Sequence, residues 1–207
     1  MNGSRIIAAK LAAPPDEEGL PSAVEWDKAK PVTFCCDWRG ENSDPQRETE
    51  TRLLWSNHHL YLRFRCRYKK IYVNDKPSGR CDELWLKDVA EIFIQRGADE
   101  LRHYREFEIS PNGDWLDLDI NAGRKSFLMC DLKSRVIRDG KIWVAELAIP
   151  MDCLTPEFNS DEIWRLNLFR IEGREPNRFY SAWQPTCTPK PNFHVPEQFG
   201  KLVFASS

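Results

Sequence analysis

Four carboxylates flanking a turn are the first feature of this 207-residue sequence that could do chemistry. Glu106, Glu108, Asp117 and Asp119 lie on either side of Pro111–Asn112–Gly113–Asp114. Asn-Gly is a strong hairpin signal, since both residues of the tight turn take positive φ. A two-residue turn at Asn112–Gly113 pairs Ser110 with Trp115, Ile109 with Leu116, Glu108 with Asp117, Phe107 with Leu118 and Glu106 with Asp119. This register gathers the apolar residues on one face and the carboxylates on the other, beside Tyr104 and Trp115. Like charges directly opposite destabilise a sheet. The face therefore calls for Arg63, Arg65, Arg105 or Arg170 against it, for calcium, which takes six to eight oxygen ligands, or for a ligand rich in hydroxyl donors. Opposed carboxyls roughly 5 Å apart also suit a retaining glycoside hydrolase, with Glu108 and Asp117 as the pair. Nothing in the sequence marks either as an acid held protonated.

Two loops carry aromatic residues. Asp82–Glu83–Leu84–Trp85–Leu86–Lys87–Asp88 precedes a strand holding Glu91, and Trp183–Gln184–Pro185–Thr186 leads to Pro191–Asn192–Phe193–His194. Rings held in loops form platforms for the apolar faces of sugars, while carboxylates and amides take the hydroxyls. The blander alternative is that the rings plug the ends of the fold. His58, His59 and His103 are candidate metal or haem ligands, but Met129 and Met151 have no evident histidine partner. The sequence holds no G-x-S-x-G, no H-E-x-x-H and no glycine-rich phosphate loop.

These side chains need a scaffold, and the alternation in the sequence supplies one. Leu60, Leu62, Phe64 and Cys66 fall on one strand face, with Tyr61, Arg63 and Arg65 on the other. Trp143, Ala145, Leu147 and Ile149 line a second strand, and Trp164, Leu166 and Leu168 a third. Strands recur every 10–20 residues or so with turn residues between them, and no amphipathic helix of three turns is evident. The pattern predicts an all-β chain, an antiparallel, jelly-roll-like β-sandwich. Residues 1–20, with Pro14–Pro15 and Asp16–Glu17–Glu18–Gly19, read as an irregular N-terminal arm, and 21–207 as the domain.

Hydrophobic residues make up 41% of the chain, enough for a packed core. Thirty basic against 32 acidic residues leave a net charge of −2, which removes the drive for non-specific nucleic-acid or anionic-membrane binding. No apolar run approaches the roughly 18 residues of a membrane span. The N-terminus is too short in apolar residues for a signal peptide, so the expected location is the cytoplasm, or outside the cell as a mature secreted form. Seven cysteines without a C-x-x-C pair read as reduced thiols, with Cys66 a small buried hydrophobe.

Asp88–Val89–Ala90–Glu91–Ile92–Phe93–Ile94, Phe107–Glu108–Ile109–Ser110–Pro111–Asn112–Gly113, Trp143–Val144–Ala145–Glu146–Leu147–Ala148–Ile149–Pro150 and Pro196–Glu197–Gln198–Phe199–Gly200–Lys201–Leu202 occur in order. Together they resemble family 9 carbohydrate-binding modules, within a wider DOMON-like group of β-sandwiches, over about residues 20–205. The resemblance implies non-catalytic binding of a mono- or oligosaccharide clamped between two rings, here Trp85 and Phe193, with Glu91 on a sugar hydroxyl. Phe193 replaces the Trp of other members, and Glu108 stands where xylanase-attached members carry a basic residue. With Arg170 against the acidic face and Asn192 beside Phe193, the candidate carbohydrate-binding residues are Trp85, Glu91, Glu108, Arg170, Asn192 and Phe193. No catalytic residue is assigned. No cofactor is expected beyond calcium, for which no clear ligand loop is present. The expected partner besides sugar is a separately encoded glycoside hydrolase. A hydrolase using Glu108 and Asp117, or a haem-binding DOMON-like module, are the alternative readings.

Overall fold

The computed structural model describes residues 4–205; the first three residues of the expected arm and the last two of the expected domain lie outside them. In chain order the elements are β1 (Arg5–Lys10), α1 (Ala23–Lys28), β2 (Val32–Phe34), β3 (Thr49–Trp55), β4 (His59–Arg67), β5 (Val89–Gln95) and β6 (His103–Ile109). They continue as β7 (Trp115–Asn121), β8 (Arg124–Phe127), β9 (Lys133–Asp139), β10 (Ile142–Pro150), β11 (Trp164–Glu172), β12 (Phe179–Ala182) and β13 (Gly200–Phe204).

The all-β expectation holds. The longest strands are the ones whose alternation was clearest. β4 pairs with β10 along nine residues, setting Leu60 opposite Ile149, Leu62 opposite Leu147, Phe64 opposite Ala145 and Cys66 opposite Trp143. All eight side chains join one buried cluster, together with Trp164, Leu166 and Leu168 of β11 and Ala90, Ile92 and Ile94 of β5. Each large aliphatic or aromatic side chain so buried contributes on the order of 1.5–3 kcal/mol. On the reverse of β4, Tyr61 packs with Leu54, Ala148 and Trp26 of α1. Ser22 caps α1 by accepting from the Glu25 N–H.

The sheet is mixed rather than antiparallel throughout. Its order is β8-β7-β6-β5-β11-β13-β1-β3-β4-β10-β9, with β12 on β11 and β2 on β3. The exception to antiparallel pairing is β1. Arg5–Ala8 run parallel to β13, and Ala9–Lys10 run parallel to β3. One short strand thus joins the two halves of a curled sheet around the main cluster. It does so from within the stretch expected to be irregular, so that expectation is corrected at Arg5–Lys10.

The β6–β7 hairpin also differs from expectation. Ser110 N–H donates to Asp114 O at 2.8 Å and Gly113 N–H to Ser110 O at 3.0 Å, so three residues form the loop, with Gly113 at φ +92°. A three-residue loop ending in a left-handed glycine is the next commonest hairpin after the two-residue turn. The pairing slips by one: Glu108 faces Leu116, Phe107 faces Asp117 and Glu106 faces Leu118. Since side chains alternate, the slip sends Asp117 and Asp119 to the opposite face from Glu106 and Glu108.

Gly200 opens β13 where no side chain fits. A Cβ there would lie 2.5 Å from two ring carbons of Trp183 and 2.9 Å from Ser4 O. Gly200→Ala is expected to destabilise the fold by about 1–3 kcal/mol, the usual cost of overpacking. Urea unfolding of the variant checks it; an unchanged midpoint would show that the Trp183 ring can move aside.

Cys130 and Cys153 form a disulfide across a Cα separation of 6.0 Å, correcting the expectation of uniformly reduced thiols. Cys35, Cys36, Cys66, Cys81 and Cys187 are free, and burial pushes the Cys66 thiol up to about 11.

Candidate functional site

The outer face of β5, β6 and β11, away from the main cluster, carries a second apolar group that includes Phe93, Tyr104, Phe169, Ile171 and Phe193. The loop following β12 lies over it. Asn167 on β11 ties down one end of that loop, donating to Gln184 O at 2.8 Å and accepting from Gln184 N–H at 2.9 Å. Arg165 ties down the other end by donating to Pro196 O at 2.7 Å. A cleft of about 180 Å³ opens between this loop and the sheet.

Four of the six sequence-predicted site residues line that cleft: Trp85, Glu91, Asn192 and Phe193. Trp85 sits in the 3₁₀ turn Leu84–Leu86, half-buried, with Leu84 anchoring the turn beneath it. The backbone of the turn is fixed from β12's side: the Arg178 guanidinium donates to Trp85 O, and to Lys87 O at 3.2 Å. The Trp85 ring carries the Lys125 ammonium 4.2 Å from its centroid. Phe193 is 8% exposed and stacks on Phe169 at 4.1 Å with an interplanar angle of 11°. Asn192 Oδ1 accepts from the His194 N–H at 3.1 Å, shaping the loop between them. His194 shares a 2.8 Å hydrogen bond with the Tyr104 hydroxyl through Nδ1. Burial, with the nearby Lys125 charge, pushes the His194 imidazole down to about 4, so it is neutral at physiological pH.

The floor of the cleft is acidic. Glu91 on β5 lies directly opposite Glu108 on β6, and Glu106 is two residues from Glu108 on the same face. All three are at most 2% exposed. Glu91 Oε1, Glu106 Oε2 and both Glu108 oxygens are buried without a hydrogen-bond donor. Burial raises all three carboxyls above the usual carboxylate range. The Glu106 charge adds to the rise of Glu91, and the Glu91 charge to that of Glu108. Among the described residues, this is the one group of three or more His, Cys, Asp and Glu side chains whose ligand atoms come together. His58, His59 and His103 form no such group.

Two predicted site residues stand elsewhere. Glu108 is completely buried beside Glu91 and does not line the cleft. Arg170 is on the core face of β11, in step with Trp164, Leu166 and Leu168. It is fully buried, its guanidinium 5.1 Å from the Trp143 ring centroid and 3.5 Å from the Glu172 carboxylate. It neutralises no carboxylate of the expected acidic face. Arg63 does not either, since it pairs with Glu146 at 3.5 Å. Asp117 is bonded instead by the Arg80 guanidinium and the Cys130 N–H, and Asp119 by His103 at 2.8 Å with Arg105 at 3.6 Å. Glu108 and Asp117 face opposite sides of the sheet and cannot act on one glycosidic bond.

The cleft also holds residues that sequence reasoning did not select: Phe93, Glu106, Lys125, Tyr180 and His194. Glu106 and His194 were named in their segments without being assigned to the site. Lys125 lies on the exposed edge strand β8, whose pattern carries no alternation to orient it. A second cavity of about 260 Å³ adjoins the first, sharing Lys125 and His194 with it.

A family model described as carbohydrate family 9 binding domain-like matches residues 21–206. A curated relative, an extracellular protein of Arthroderma benhamiae, is 26% identical over 187 residues, spanning 77% of this chain and 80% of the relative. Among solved structures, a Bacteroides uniformis protein proposed to bind carbohydrate superposes with a TM-score of 0.80 at 17% identity, covering 98% of this chain and 100% of that one. A family 9 carbohydrate-binding module of Caldicellulosiruptor kristjanssonii in complex with glucose gives 0.68 at 15% identity, covering 99% and 97%. Its complex with cellotriose gives 0.69 at 14% identity, covering 97% and 93%. These structural likenesses extend along nearly the whole chain and concern its fold.

Proposed function

The chain belongs to the carbohydrate family 9 binding domain-like family, and from that premise we propose that it binds a mono- or oligosaccharide in the Trp85 cleft without transforming it. One observation carries the reading: two aromatic rings, Trp85 and Phe193, and a buried carboxyl, Glu91, line one small cleft. Rings take the apolar faces of a pyranose, and a carboxyl takes its hydroxyls. Trp85 is the half-buried platform of the clamp and Phe193, backed by Phe169, is its opposite wall. The neighbours crystallised with glucose and cellotriose make β-glucosyl units the first ligands to try.

A binding role suits the floor better than hydrolysis. A retaining hydrolase keeps one carboxyl protonated and a second ionised, placed on either side of the scissile bond. Here three carboxyls share one floor, and burial raises all of them. We read the two halves of the curled sheet as the leaves of a sandwich, with the cleft on the outside of one leaf. The Cys130–Cys153 bond and the extracellular relative favour an extracellular setting over the cytoplasm. A module of this kind would serve a hydrolase encoded separately.

Titration with glucose and cello-oligosaccharides, followed by calorimetry and tryptophan fluorescence, is expected to show one saturable site per chain and no product on prolonged incubation. Failure of every mono- and oligosaccharide in a broad panel to bind would sink the reading. Turnover that survives purification would move the chain to the enzymes.

A further inference from the structure

We propose that Glu91, Glu106 and Glu108 together bind one divalent cation of the calcium class beneath the cleft, leaving coordination positions that hydroxyls of a bound sugar can fill. The ion site stands on the geometry of the three residues alone; its contact with sugar rests on the proposed function.

The three carboxylates each offer an oxygen, and these oxygens lie within 4.8 Å of one another. Calcium–oxygen bonds of about 2.4 Å place oxygens on opposite sides of the ion roughly 4.8 Å apart, so the set can close on one ion without moving either strand. Magnesium demands near-ideal octahedral geometry at about 2.0–2.1 Å and gives up its water reluctantly, which suits three carboxylates fixed on two strands less well than the looser calcium shell. The donor set is oxygen only, which selects a hard cation over zinc or copper.

A second observation, independent of that spacing, points to a ligand. Four of the oxygens are buried without any donor, on side chains at least 98% buried. Burying carboxyl oxygens without a donor is costly in either protonation state, and an ion that can supply the missing partner favours the ionised form. The strands fix these side chains on one face, directly opposite in the case of Glu91 and Glu108, so the three stay grouped. The nearby cations make their close contacts with other groups, though Lys125 lines the same cleft and adds its charge there. Arg170 is on the other face of β11 against Glu172, Arg178 donates to Trp85 O and Lys87 O, and Lys125 rests on the Trp85 ring. A divalent ion together with the Lys125 ammonium would balance three carboxylates. Glu91 and Glu106 also line the cleft, so an ion has a route in and faces whatever the cleft holds.

The whole chain, freed of metal with chelator, would be titrated with Tb³⁺ alone, using Trp85 in the same cleft to sensitise its luminescence. Saturation at one ion per chain, and displacement by calcium, is the expected result. Glu91→Gln, Glu106→Gln and Glu108→Gln should each weaken the ion by at least tenfold, while Asp131→Asn, on an exposed loop, should not. At one fixed calcium concentration, the thermal midpoint should rise by less in Glu108→Gln than in the wild type. In chelator, Glu108→Gln should melt no lower than the wild type, since it replaces a buried ionisable carboxyl with a neutral amide of the same size; that comparison also reports whether the variant folds. No saturable ion in the wild type, or affinity unchanged in all three variants, overturns the site. Sugar affinity measured separately with and without EDTA tests the second part. Equal affinity on a chain that binds the ion overturns contact between ion and sugar, whereas ion binding by a chain that binds no sugar supports the site and removes the proposed function.

Discussion

Arg170→Ala is expected to lower the unfolding free energy by about 3–5 kcal/mol while leaving the sugar affinity of the folded protein unchanged. That range is the usual result of breaking a buried ion pair from one side. Arg170 is completely buried and Glu172 is 1% exposed, with 3.5 Å between guanidinium and carboxylate. Arg170 also donates to Val89 O at 3.3 Å and to Ile171 O, and its guanidinium covers the Trp143 ring. Alanine leaves a cavity among those groups and a carboxylate with fewer partners. Glu172 would keep Arg47 Nε at 3.2 Å and the Lys69 N–H at 3.0 Å, which places the expected loss toward the lower end of the range. Arg170→Met retains most of the volume, and Arg170→Met with Glu172→Gln removes the stranded charge as well, so the double variant should recover part of the loss. Urea unfolding measures the stability, and calorimetry on the folded variant measures binding. A variant of full stability that had lost sugar affinity would return Arg170 to the binding site.

The placement of Arg170 shows what was legible in the sequence and what was not. Its parity with Trp164, Leu166 and Leu168 already put it on the core face of a nine-residue strand; its charge argued for the surface, and parity won. Long strands with strict alternation, β4 and β10 above all, could be read to the residue because a period of two leaves one apolar face to bury. β7 could not be assigned to a side in that way. Its apolar residues Leu116, Leu118 and Ile120 pack on the outer cluster, while Phe107 and Ile109 of the paired β6 join the main cluster, so the sheet there buries apolar residues on both faces and alternation alone does not say which is the core. The hairpin register turned on a single residue of loop length. Asn-Gly suits a two-residue turn, but the Ser110–Asp114 pairing makes Pro111–Asn112–Gly113 the loop, and every facing residue moves by one.

Pairings distant in sequence were the least legible. β1 meets β13 from opposite ends of the chain and runs parallel to it, and a six-residue segment ahead of a proline-rich stretch carries no local sign of that. The acidic floor belongs to the same class. Glu106 and Glu108 share a face by parity, yet only the β5–β6 register brings Glu91 opposite Glu108. The cysteines gave no spacing from which Cys130 and Cys153 could be matched. That Trp85 and Phe193 lie in loops was legible because both sit in short segments between strand patterns. Lys125 had no such context.

Trp85→Ala is expected to weaken sugar binding by about 1–3 kcal/mol, roughly 5- to 150-fold in Kd, with the fold intact. The turn that carries Trp85 has anchors besides the indole, which packs only at the edge of the outer cluster. Leu84 anchors it, the Lys87 N–H closes it on Leu84 O at 2.8 Å, and Arg178 holds the Trp85 carbonyl rather than the ring. Removing the indole therefore deletes a platform from a preformed cleft, which is why Trp85 tests the clamp more cleanly than Phe193. Phe193→Ala would also remove the 4.1 Å stack on Phe169 and with it part of the outer cluster, mixing a loss of stability with a loss of binding. The size of the Trp85 effect is a net quantity. In the free protein the Lys125 ammonium lies 4.2 Å from the indole centroid, and a pyranose stacking on the same face must displace it. Exposed contacts of this kind are worth about 0.5–1 kcal/mol, less than a buried aromatic anchor, so the sugar should win that exchange. Trp85→Phe, which keeps a smaller ring, should fall between wild type and alanine. Calorimetry on the three proteins, with thermal unfolding alongside, checks the order. Equal affinities across the series would remove Trp85 from the clamp, and loss of cooperative unfolding in Trp85→Ala would make the indole part of the core.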